Sequence, residues 1–236
     1  LAWVFGSPFF GAFSEKIGDR KAIRFVALLY SIGLVLTAGA SSAFAIQFYE
    51  ILVGFGVAGT GFGVILAVVG RASSPENRAM SLAIATASGS AGQIVGPIVA
   101  VFLLETMKWQ SVFMIFAISI LLVLLLLPFM KAPERASKEE IEESLSEILS
   151  IALKDPSYMM IFVGFFSCGY QLAFITAHFP ALITEMSAPI DPTGWCGDLG
   201  IETTAALGGF AISVIGAANI AVSYTHLRAH ETSNHL

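Results

Sequence analysis

The sequence predicts an all-α membrane protein, a bundle of apolar helices crossing a bilayer, on three observations. Hydrophobic residues make up 56% of the 236 and charged residues only 12%, against about 25% charge in an ordinary soluble domain. Mean hydropathy is +0.80, and apolar runs of the roughly 20 residues needed to cross a hydrocarbon core recur along the chain. Basic residues, finally, gather in alternate loops, as they do in multi-span membrane proteins. The net charge of -5 comes with no basic cluster suited to a phosphate backbone, which excludes nucleic acid as a partner and leaves the lipid bilayer as the first one.

Seven spans are expected, in order. Residues 1–13 read as the tail of a span already under way, since the first residue is Leu1 and not Met. The second, 22–40, begins after a charged stretch and stops at Ser41 and Ser42. The third, 46–69, carries Gly54, Gly56, Gly59, Gly61 and Gly63 and closes at Arg71. The fourth, 79–104, holds Ala83, Ala85, Ala87, Gly89, Gly92 and Gly96, small residues that let helices touch closely in lipid, and Pro97 predicts a bend within it. Then come 111–130, an unbroken apolar run, 158–186 and 205–222.

Between the fifth and sixth runs lies the longest connection, 131–157. Ser137 with Glu140 forms a capping box, and Ile141, Leu145, Ile148, Leu149 and Ala152 fall on one stripe, which predicts an amphipathic helix over 137–154. Its polar face carries Glu139, Glu142, Glu143 and Glu147, so packing beneath the bundle is expected and attraction to anionic lipid is not. Residues 223–236 break the pattern with His226, His230 and His235, and SYTHLRAHET resembles the translation of a sequencing adapter, so a non-native tail is expected there.

Charge fixes the expected orientation. Lys16, Arg20, Lys21 and Arg24 lie in the first loop, Arg71 and Arg78 in the third, and Lys131, Arg135, Lys138 and Lys154 in the fifth, ten basic residues against Lys108 alone between the other spans. The first, third and fifth loops are therefore expected to be cytoplasmic. The 188–204 loop, with Asp191, Asp198 and Glu202 and no Lys or Arg, should face outward. Cys168 and Cys196 lack metal-site spacing and read as free thiols. No nucleophile–base pair, paired carboxylates or ligand cluster appears, so neither enzyme chemistry nor a cofactor or metal is expected.

The first loop reads Gly11, Glu15-Lys16, Gly18, Arg20-Lys21 and runs straight into the next span. This resembles the signature loop between the second and third helices of the major facilitator superfamily, with Glu15 where the aspartate usually stands. Span 79–104 is similar to the fifth helix of that superfamily, particularly of its monocarboxylate and oxalate-type carriers and their bacterial relatives. The resemblance implies a fragment of a twelve-helix bundle running from part of the second helix to the eighth. It also implies a 1–130 half bundle, an inter-half linker at 131–157, and the start of the second half at 158–222. In that setting Gly11 and Gly18 are expected to permit a tight turn and close helix approach, and Glu15, Lys16, Arg20 and Lys21 to form a charge network at the cytoplasmic mouth.

Polar groups inside spans are costly in lipid and therefore mark function. Gln171 and His178 are seven residues apart and share one face of their helix, about 10 Å apart along its axis. Gln93, Tyr170 and Glu50 are weaker members of the same expected substrate pathway. His178 could also exchange a proton near neutral pH. The expected function is secondary active transport of a small organic solute, a carboxylate among the options, by alternating access in a bacterial inner membrane. A seven-span receptor or sensor is the alternative.

Overall fold

Helix boundaries fall where the sequence supplies a cap, a proline or a glycine. The computed structural model describes residues 2–130, 150–191 and 193–233, with the side chains of 3, 4, 15 and 223–233 outside that description. Helix α1 (Ala2–Ile17) is separated from α2 (Asp19–Ala38) by Gly18 alone, whose φ of 92° favours glycine. Helix α3 (Ala43–Thr60) is capped by Ser42, which accepts from the Ala45 N–H at 3.2 Å. Extended backbone at Gly61 then divides the expected 46–69 span into α3 and α4 (Phe62–Ala72).

After a 3₁₀ turn, Pro75–Asn77, helix α5 runs from Arg78 to Thr106. The next span is α6 (Trp109–Leu121), α7 (Val123–Leu126) and a closing 3₁₀ turn, Leu127–Phe129. Helix α8 (Pro156–Met186) starts on a strong signal: Pro156 occupies the first turn, and the Asp155 carboxylate accepts from the N–H groups of Ser157 (2.8 Å) and Tyr158 (3.4 Å). A single-turn α9 (Trp195–Asp198) precedes α10 (Thr204–Ser233), whose backbone stays helical past the expected end of the apolar run. In the loop before α9, Thr193 donates from its N–H (2.8 Å) and hydroxyl (2.7 Å) to Asp191, and these bonds hold that carboxyl below its ordinary pKa.

Among the described residues six stretches are long and apolar enough to cross a bilayer: Asp19–Ala38, Ala43–Ala72, Pro75–Thr106, Trp109–Phe129, Pro156–Met186 and Thr204–Val222. They coincide with the second to seventh expected spans. The first expected span is the 16-residue α1. The expected amphipathic helix over 137–154 lies outside the described residues as far as 149, and Ser150–Ala152 are helical.

The chain forms two compact units, with the boundary inside α5. The first holds α1 to α4, α5 as far as Gly89, and the chain from Leu103 onward through α6 and α7. There α2 packs against α3 and α6, and α1 packs against α3. Phe10, Val26, Ala58 and Val64 form one buried cluster, and Leu34, Val53 and Ala117 another. The α2–α3 contact is a series of glycine-to-side-chain fits: Gly56 lies against Tyr30, Gly59 against Val26 and Gly33 against Val53. A Cβ on Gly33 would lie 2.9 Å from the Val53 amide nitrogen, so backbones approach here as only a missing side chain permits.

The second unit joins Ser90–Phe102 of α5 to α8, α9 and most of α10. The expected close contacts of α5 are real, but their glycines belong to the other helix. A Cβ on Gly89, Gly92 or Gly96 would meet nothing within 4 Å, whereas Gly209 and Gly216 of α10 press on Val101 and Ile94 of α5. Gly208 packs on Pro180 of α8 in the same way. Inside α5, Pro97 removes the N–H that would serve the Gln93 carbonyl and opens that turn. One residue on, the Ser213 hydroxyl of α10 lies within hydrogen-bond distance of the Ile94 carbonyl of α5 at 2.9 Å and of the Gly209 carbonyl of its own helix at 3.0 Å. Ser213→Ala is expected to lower the unfolding free energy by about 1 kcal/mol, measured by denaturant titration in detergent.

Candidate functional site

The signature residues cluster where α1 meets α2. The expected loop is largely helix: α1 carries Gly11 through Ile17, Gly18 makes the turn, and Asp19, Arg20 and Lys21 open α2. Gly18 turns the chain at a φ of 92°, whereas Gly11 sits inside α1, where a Cβ would meet nothing within 4 Å. Lys16 and Lys21 are solvent-facing, and the Glu15 side chain lies outside the described residues.

The acid that organises this end is Asp19. Its side chain is only 5% exposed and Oδ1 lies 2.7 Å from Arg71 Nη2, at the close of α4. The pair joins the first turn of α2 to the close of α4. Arg20 points the other way, with Nε donating to the Met130 carbonyl at 2.9 Å and Nη2 donating to the same oxygen. Two adjacent residues thus tie the start of α2 to the ends of two other spans. Arg20 was among the residues expected at this mouth, with Glu15 as the acid, whereas Arg71 was expected only as the close of its span. An acidic residue directly after the turn glycine, at the first position of a helix, was the signal available for Asp19.

Glu50 stands in the second turn of α3, exposed, beside Thr37 and Tyr30 of α2. It forms a separate polar spot in the first unit.

In the second unit, Gln93 of α5 accepts a hydrogen bond from the Asn219 side-chain amide of α10 at 3.3 Å. Asn219 was missed because it is uncharged and embedded in an apolar run. Helix α8 presents the remaining expected residues. Its ring-bearing side chains make a row on successive turns: Tyr170 stacks on Phe174 with centroids 6.2 Å apart, and Phe174 meets His178 at 4.9 Å and a tilt of 47°. An open groove of about 370 Å³ runs along the exposed face of this helix, its described lining, Phe174, Ile175, His178, Phe179, Ala181, Leu182 and Glu185, coming from α8 itself. Gln171 shares its helix face about two turns earlier but is not among the lining residues. Glu185 is the carboxylate that sequence reading passed over, being so close to the end of the apolar run.

Among the described residues no group of three or more His, Cys, Asp or Glu side chains is arranged to hold a metal ion. Cys168 and Cys196 are free thiols.

Comparison with known proteins bears on this arrangement. A family model described as Major Facilitator Superfamily matches residues 1–229. The chain is 26% identical over 112 residues to the Haemophilus influenzae protein named "Putative metabolite transport protein", covering 48% of this chain and 27% of that one. It is 24% identical over 114 residues to the Bacillus subtilis "Putative niacin/nicotinamide transporter NiaP", covering 48% and 28%. The matched segment thus spans little more than a quarter of the length of these relatives. No solved structure matches significantly.

Proposed function

Because the chain belongs to the major facilitator superfamily, a family of transporters and not of enzymes, we propose that it moves a small organic solute across the membrane by alternating access. The observation that carries this reading is the family match across nearly the whole chain, and the packed apolar spans support it. In this reading the Asp19–Arg71 pair and the Arg20–Met130 bond close the cytoplasmic end in one access state and yield in the other. The basic residues of the loops support a cytoplasmic position for that end. Bacterial relatives support a bacterial inner membrane. The match leaves the seven-span receptor or sensor without support.

The pathway along α8 is proposed to involve Gln171, His178 and Tyr170, with Gln93 contributing through Asn219; Glu50, at the outer end of its own span, is proposed as a separate candidate. A proton is the proposed coupling ion, and His178 its proposed carrier. Uptake of labelled organic solutes into vesicles holding the full-length protein, with and without a pH gradient, tests the whole reading. Transport is expected to accumulate solute and to respond to the gradient. Failure to accumulate or exchange any solute would remove it.

Gln171→Ala and His178→Ala are each expected to slow uptake about tenfold beyond any loss of expression, the effect of leaving a bound polar group without its partner. Normal uptake kinetics in both variants would take these residues out of the pathway.

A further inference from the structure

Resting on the reading of the Asp19–Arg71 pair as a closure that yields, we propose that α4 is a lever: it turns about Gly61 when the pair parts, while α3 stays fixed on α2. Gly61 stands inside a single 30-residue apolar stretch, Ala43–Ala72. Its φ of -74° and ψ of 172° are extended backbone, not helix. The helical ladder starts afresh beyond it, with the Ile65 N–H donating to the Gly61 carbonyl at 3.1 Å. A break in the ladder is costly in hydrocarbon, where no water serves the backbone groups it sets free. Hinges are built from such single positions at the ends of elements, where a change of φ and ψ redirects all that follows.

The packing differs on the two sides of Gly61. On the α3 side, glycine fits bind that helix to α2 right up to the break: Gly33 on Val53, Gly56 on Tyr30, and Gly59 on Val26. On the α4 side only Val64 and Val68 are buried, a stripe one residue wide. Val64, beside the hinge, joins Phe10, Val26 and Ala58, whereas Phe62, Gly63, Ala67, Arg71 and Ala72 are exposed. Lipid chains are as apolar as valine, so parting so narrow a stripe in a bilayer costs packing contacts more than hydrophobic burial. The polar hold is at the tip. Arg71, the last residue of α4 but one, meets the Asp19 carboxylate of α2 at 2.7 Å. Hinge and latch thus lie at opposite ends of one short helix, about 16 Å long. Asp19 is on the fixed side and Arg71 on the moving one.

Spin-label distances in the full-length protein, held in lipid nanodiscs and carrying Cys168→Ser and Cys196→Ser, test the lever. One labelled pair, Leu28→Cys on α2 with Ala72→Cys on α4, spans the hinge, and a second, Leu28→Cys with Ile51→Cys on α3, does not. All three positions are exposed. Parting the latch by Asp19→Asn, or from its other side by Arg71→Gln, is expected to shift the first distance by about 5 Å, the tip displacement for a turn of roughly 20° in a helix this long. The second distance should stay as it was. Gly61→Ala, which takes freedom from that one backbone position, is expected to reduce the shift by at least about half. Gly63→Ala, inside α4 with nothing within 4 Å of the added Cβ, should leave it intact. Size-exclusion profiles confirm that each variant is folded.

An unchanged Leu28 to Ala72 distance in both Asp19→Asn and Arg71→Gln would overturn the proposal. So would an equal shift of both distances, since the span would then move whole, and so would equal behaviour of Gly61→Ala and Gly63→Ala. Uptake in vesicles keeps the two readings apart. Solute accumulated by a protein whose latch variants show no shift leaves transport standing and removes the lever. A shift confined to the Ala72 label, in protein that accumulates no solute, keeps the lever and removes transport.

Discussion

Asp19→Asn is expected to lower transport at least about tenfold and to destabilise the folded protein by about 1–3 kcal/mol. The carboxylate is nearly sealed from solvent, at 5% exposure, and its oxygen is 2.7 Å from the Arg71 guanidinium. Removing one member of a buried pair leaves the other charge desolvated, and that penalty reaches about 3–5 kcal/mol when both are deep. Here Arg71 keeps 32% exposure and recovers some hydration, so the loss falls short of that limit. Asparagine retains the shape and the hydrogen-bond acceptor, which isolates the charge as the cause.

The measurement is a double-mutant cycle with Arg71→Gln, read both as uptake rate and as unfolding free energy. If the pair acts as a unit, the second substitution adds little to the first. Strict additivity would mean that the two residues act separately and that the contact is incidental.

Gly56→Ala is expected to cost more than 2 kcal/mol, about the upper range of overpacking, and Gly56→Leu to abolish recovery of folded protein. The added Cβ would lie 2.6 Å from Tyr30 Cα and 2.8 Å from Tyr30 Cγ, closer than real Cβ contacts come. Because one of those atoms belongs to the α2 backbone, no rotamer change at Tyr30 clears the overlap and the helices must part. That separation also loosens the neighbouring Gly59–Val26 and Gly33–Val53 fits. Gly63→Ala on α4 is the control, since a Cβ there meets nothing within 4 Å. It should be neutral within about 0.5 kcal/mol or slightly stabilising through helix propensity. Size-exclusion profiles and thermal unfolding in detergent distinguish the two sites, and equal behaviour of Gly56→Ala and Gly63→Ala would refute the packing argument.

The spans themselves were legible in the sequence because hydrocarbon thickness imposes one length on each and charge marks its ends. The Gly18 turn was legible because its glycine stands between helix-compatible segments. What the sequence hid was azimuth and partnership. Gly92 and Gly209 look alike in the chain, and only the neighbouring helix decides that one is open and the other presses on Val101. Asp19 and Arg71 lie 52 residues apart, and nothing local tells that this acid has a mate. On α8, His178 was legible as a costly polar group in a span. Phe174 was not, because one phenylalanine in an apolar run is indistinguishable from its neighbours until its ring is seen between Tyr170 and His178.

Arg20 and Lys21 stand side by side and read as a pair of interchangeable cations, yet the fork of Arg20 brings two nitrogens to one carbonyl, that of Met130, while Lys21 faces solvent. An ammonium is a point charge on a flexible stem and cannot offer two rigid donors in one plane. The two positions therefore obey different rules of inheritance. Lys21 can drift to any basic residue with its positive-inside role intact, whereas a lineage that exchanges Arg20 for lysine gives up the fork that fixes the fifth expected span's end to α2.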